Sequence, residues 1–170
     1  VFYVPVPDPS SFNITSGMES LFLHEAIPGH HYQISLQQEN LSLPAFRRFA
    51  WYGAFGEGWA LYTESLGKEL GLYTDPYQYM GALGDEMHRA IRLVVDVAIH
   101  LKGMSREEAI TYMMKNEAIG KDAATAEIER YMAIPGQAVS YKVGQMKIRE
   151  LRQMCEQELK SDFRISEFHD

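Results

Sequence analysis

The sequence predicts a mainly α-helical fold with a short β segment at its start, on three observations. Helix-start signals recur along the chain: Asp75 stands before Pro76, and Ser105 stands three residues ahead of Glu108 as in a capping box. Helix-stop signals answer them at Gly71, Gly103 and Pro135-Gly136. Strand-like character is confined to the opening VFYVPV, and almost everything after residue 17 reads as helix.

Val1 to Val6 read as a strand, and the turn-rich PDPSSFNITSG leads from it into MESLFLHEA, a buried helix starting near Met18. A second helix starts after Gly29 and runs through HHYQISLQQEN, with Ile34 and Leu36 set among residues that face solvent. Ser42 and Pro44 mark a turn. FRRFAWYGAFGEGWALYTESLGKELGL is dense in aromatic and small residues, which suits a helix packed on several sides and ended by Gly71. One or two helices then run from Asp75 to Gly103, another follows Ser105, and a short one spans Ala123 to Ile134. After the Pro135-Gly136 break, Lys142 to Leu159 form a last amphipathic helix. No internal repeat or low-complexity linker divides the chain, so residues 1–170 read as a single domain.

Composition narrows the function. A net charge of −7 argues against a nucleic-acid partner, which needs clustered Lys and Arg. No apolar run is long enough to span a bilayer, and the N-terminus lacks the pattern of a signal peptide. Oligomeric state and cellular location are left open. The lone Cys155 excludes an internal disulfide and a cysteine-rich zinc knuckle, so any metal must be held by His and carboxylate.

Such a group exists in LFLHEAIPGHHYQ, where His24, Glu25, His30 and His31 crowd one short stretch of an apolar helix. In the familiar H-E-x-x-H helix the two histidines sit four apart, one above the other, and share a zinc ion. Here Pro28 occupies the fifth position, where it lacks an N–H and clashes with the His24 carbonyl, so the helix must open. A bulge at Pro28-Gly29 that absorbs two residues brings His30 to the second ligand position, with His31 as the alternative. The third ligand is expected from FGEGWALYTES: Glu57, between glycines in an apolar stretch, or else Glu64, two turns on along the same face. Glu64 otherwise suits a partner for a ligand histidine. Zn2+ is the cofactor this set fits, with Glu25 as the general base that takes a proton from zinc-activated water.

Further candidates lie downstream. Tyr141 follows the Pro-Gly break and is placed to donate to an oxyanion. Arg89, Arg92, Asp96 and His100 recur at three and four, one polar stripe on an apolar helix. His100 is a candidate oxyanion or carboxylate-orienting residue, and Arg89 or Arg92 a candidate for binding a substrate's terminal carboxylate.

The ordered blocks LFLHEAIPGHHYQ, EGWALYTE, RLVVDVAIH and IPGQAVSYKVGQ resemble the mostly bacterial family called domain of unknown function 885. That family looks like a member of the gluzincin zinc peptidases, with a variant H-E-x-x-x-G-H helix and a downstream glutamate. The resemblance implies a gluzincin-like helical peptidase fold, metal roles for His24, His30 and Glu57, and Glu25 as base. It also implies a bacterial origin. Family members are much longer, so the chain is expected to be the catalytic C-terminal part of a longer protein. The function expected is a zinc metallopeptidase acting on a peptide or peptide-like substrate. The alternatives are a metal hydrolase of a non-peptide amide or ester, and a non-catalytic zinc-binding helical domain.

Overall fold

The computed structural model describes residues 16–170; the strand expected over Val1–Val6 lies outside them. Among the described residues the regular structure is entirely helical. The helices are α1 (Met18–Glu25), α2 (His30–Glu39), α3 (Ala45–Phe49), α4 (Gly53–Glu64), α5 (Pro76–Lys102), α6 (Arg106–Asn116), α7 (Lys121–Ala133), α8 (Gln137–Leu159) and α9 (Ile165–His169), with a 3-10 turn at Lys160–Asp162 before the last.

Start and stop chemistry explains the bounds of α5 and the start of α6. Asp75 caps α5 by accepting from the Tyr77 N–H at 2.9 Å, and Gly103 ends that helix at φ 70, so residues 76–102 form one unbroken helix. Ser105 and Glu108 complete a reciprocal capping box at α6. The long aromatic stretch departs from the expectation of one helix. It divides into α3 and α4, with Ala50 and Tyr52 extended between them. The Gln37 side-chain amide draws the chain off the helical path there, donating to the carbonyls of Arg47 (2.7 Å), Arg48 (3.2 Å) and Ala50 (3.1 Å). The final long helix begins at Gln137, five residues before the expected Lys142, because Gly136 takes up φ 84 and lets the helix start at once.

Two associations organise the molecule. The α5–α8 segment packs around Ile91, Val95, Ala109, Ile110, Met113, Ala124, Ile128, Tyr131 and Ala138, a core in which small and branched side chains surround Met113 and Tyr131. Helix α4 lies along α8 in the most extensive helix pairing, and α1 packs on α4 and α5. The α4–α8 crossing depends on two glycines: a Cβ on Gly144 would collide with the Ala54 carbonyl oxygen, and one on Gly58 would meet the Gly144 backbone. Close approach of these backbones sets Gln137 and Tyr141, on the first turns of α8, beside Glu57 on α4.

Candidate metal centre

Three separate helices deliver three ligating atoms to one place. His24 lies on the last turn of α1, His30 opens α2, and Glu57 sits on α4. The link between the first two is a full break, which goes further than the expected bulge: Ala26 leaves the helical region and the Ile27–Pro28 peptide is cis. Gly29 is required at its end, because a Cβ there would run into the carbonyls of Leu23 and His24. The backbone groups that the break exposes find partners. Trp59 Nε1 donates to the Pro28 carbonyl at 2.8 Å, and Thr63 Oγ1 to that of Leu23 at 2.9 Å.

His24 Nδ1 stands 2.6 Å from Glu64 Oε1, which leaves Nε2 facing Glu57 Oε2 at 3.9 Å. His30 Nε2 lies 3.3 Å from the same Glu57 oxygen, and the two imidazoles meet edge to face with centroids 4.7 Å apart. One ligating atom from each of the three residues falls within 4.8 Å of the others. Two atoms each about 2.1 Å from a tetrahedral zinc ion stand roughly 3.4 Å apart, and the 3.3 and 3.9 Å separations at Glu57 Oε2 lie on either side of that value. The donor set of two imidazoles and one carboxylate also fits zinc.

Burial sharpens the case. His24, Glu57 and Glu64 are 4%, 8% and 5% exposed, where an unmatched polar atom is costly. Yet Glu57 Oε2, Glu64 Oε2 and His30 Nδ1 have no hydrogen-bond partner among the described residues. Burial pushes the Glu57 carboxyl up, but the nearby His30 imidazole, with Tyr141 and His24, outweighs it and holds the group below its ordinary 4.5. Burial, then the Glu57 charge, raises the Tyr141 phenol, so it stays a donor at neutral pH.

Around the triad, Arg89 reaches Glu64 Oε1 at 3.5 Å, and Tyr141 stacks on the His24 ring at 6.1 Å. Glu25 follows His24 directly, is exposed, and forms no hydrogen bond or ion pair with the described residues. His31 is exposed and outside the triad. His100 is engaged elsewhere, 3.0 Å from the Tyr131 carbonyl and 3.4 Å from Asp96, where it joins α5 to α7. Arg92 is 4% exposed and lies behind Tyr141, with its guanidinium 4.2 Å from that ring.

Sequence reasoning missed Gln137 and Trp51. Gln137 Nε2 lies 3.3 Å from Glu57 Oε1 and 3.2 Å from the Tyr141 hydroxyl. Its position four residues before Tyr141, on the same helical face, was a usable signal. Trp51 lies with its ring 5.6 Å from that of His30, over Gly56, where a Cβ would strike the indole. Nothing in the local sequence predicts that contact, since it depends on the α3–α4 break.

Two solved structures resemble the chain. A "putative lipoprotein from Colwellia psychrerythraea" is 48% identical with a TM-score of 0.88, over 91% of this chain and 26% of that one. A "putative lipoprotein of unknown function from Shewanella oneidensis" is 30% identical with a TM-score of 0.77, over 88% of this chain and 27% of that one. The chain therefore spans about a quarter of the length of these relatives. No curated protein matches it. The family model that does match covers residues 1–170, all of the chain, which thus belongs to DUF885, described as "Bacterial protein of unknown function".

Proposed function

We propose that the chain carries the metal centre of a zinc-dependent peptidase. The observation that supports this most is the convergence of His24, His30 and Glu57, with Glu57 Oε2 buried and unpartnered where their ligating atoms meet. His24, His30 and Glu57 hold the ion, and Glu64 fixes the His24 ring by holding its Nδ1. Zinc bound there supplies a Lewis acid for a scissile carbonyl and acidifies water at neutral pH.

The other steps belong to this chain's residues. Glu25, exposed beside His24, takes the proton of the attacking water and passes it to the leaving amine. Tyr141, kept protonated, donates to the oxygen that gains charge as the carbonyl is attacked. His24 and Glu57 are nearly dry, which strengthens each charge interaction they make. Arg89 steadies Glu64 from behind. The names of the two solved relatives support a lipid-anchored location for the protein in the bacterial envelope.

Metal stoichiometry by plasma mass spectrometry tests the centre. About one zinc per chain is expected, the number a single three-ligand site takes. His24→Ala, His30→Ala and Glu57→Ala should lose it, and His31→Ala should keep it. A chain that stays metal-free after zinc is supplied would overturn the reading.

A further inference from the structure

We infer that Gln137 and Arg92 are positioning residues that hold Glu57 as a one-oxygen metal ligand and keep the Tyr141 phenol beside it. This rests on the metal-centre reading above and adds two residues to it.

The argument begins with which groups can only donate and which can only accept. Arg92 is buried, and its guanidinium has donors and no acceptor. It reaches the Gln137 side chain at 2.9 Å, so the atom it meets must be the carbonyl Oε1. The other end of that amide is then Nε2, which faces Glu57 Oε1 at 3.3 Å and the Tyr141 hydroxyl oxygen at 3.2 Å. An ionised carboxylate only accepts, so Glu57 demands the same amide orientation from the opposite side. Gln137 is locked between a donor and an acceptor and cannot turn over. The Arg92 guanidinium is in turn packed against Tyr141 and Tyr131, 4.2 and 5.2 Å from their ring centroids.

Two consequences follow at the centre. Gln137 occupies Glu57 Oε1, so Oε2 alone faces the histidines, and it is also the buried oxygen without a partner. A carboxylate pinned in this way offers one oxygen and leaves a coordination position for substrate. The Tyr141 oxygen accepts from Gln137, so the phenol is held beside Glu57. Without the Gln137 donor the carboxylate is free to swing both oxygens onto the metal.

Cobalt(II) is the probe, because its visible absorption is strong in four-coordinate sites and weak when the coordination number rises. The 170-residue chain would be titrated with cobalt beside Gln137→Met, which keeps the length and removes the donor. Arg92→Met, which frees the amide to turn, gives a second and independent variant. Gln137→Met is expected to lower cobalt affinity about 10- to 100-fold, as loss of a partner to a metal ligand does, and to weaken the visible band. Arg92→Met should shift both readouts the same way by less, and circular dichroism melts show whether each variant folds. A folded variant with wild-type affinity and band shape overturns the inference. A wild-type chain that takes up no cobalt overturns the metal centre itself, a different failure.

Discussion

At the residue scale, the Glu64 contact offers a test of whether the cluster is a metal site. Glu64 is 5% exposed and touches His24 Nδ1 at 2.6 Å, so Glu64→Gln should leave the fold intact and weaken zinc binding about 10- to 100-fold. Competition against a chelating dye would measure it; unchanged affinity would mean that the ring needs no such partner. Glu25→Gln should do the reverse. It should keep zinc and slow peptide hydrolysis about 100- to 10,000-fold, the share a general base supplies. Wild-type turnover in that variant would remove Glu25 from the chemistry. The contiguous cluster His24 to His30 was legible in the sequence because ligand spacing is a local property. Gln137 was legible only through its place four residues before Tyr141, since an uncharged amide shows no role until the structure sets it between Arg92 and Glu57.

At the scale of elements, glycines decide which helices approach. Gly29→Ala sets a methyl against the Leu23 and His24 carbonyls, so α2 must move and carry His30 away from Glu57. Loss of metal uptake is the expected result, read by the same dye titration. Gly144→Ala forces α8 off α4 and should cost about 1–3 kcal/mol in urea unfolding, the range for overpacking. Gly84 is a fair control: it lies in α5 with open space around it, and Gly84→Ala should stabilise the helix by roughly 0.5–1 kcal/mol. Equal effects at Gly84 and Gly144 would deny the close crossing. The start of α5 and the α6 capping box were legible because cap chemistry is written in adjacent residues. The α3–α4 split was not, because it depends on Gln37, a side chain donated by another helix.

For the molecule as a whole, acid should act through carboxylates that bind helix to helix. His88, 3.8 Å away, then Arg130 and Tyr131, hold Glu127 well below 4.5 against the opposing effect of burial. Burial pushes Glu86 up, but the bond and charge of Lys142 outweigh it and hold it below 4.5 too. Both groups release their proton more readily folded than unfolded. The stability they contribute is therefore complete above about pH 4.5 and is lost as pH falls through their folded values. Burial, then the Arg152 charge, holds His169 below 6.5, so its contribution to docking α9 on Tyr62 and Trp59 starts to fade earlier, as pH falls past about 6.5. Thermal melts between pH 7.5 and 3.5 should show a shallow decline and then a steep one, and Glu127→Gln should lower the neutral midpoint and flatten the steep part. Parallel curves for variant and wild type would count against that role. The tryptophans complete the picture at this scale. The chain has two: Trp51 lies beside the His30 ring, and Trp59 is bonded to the Pro28 carbonyl on the link between the histidines. All of its indole fluorescence thus originates at the rim of one site, so the protein comes already labelled, and emission wavelength and quenching can follow events there without an added dye.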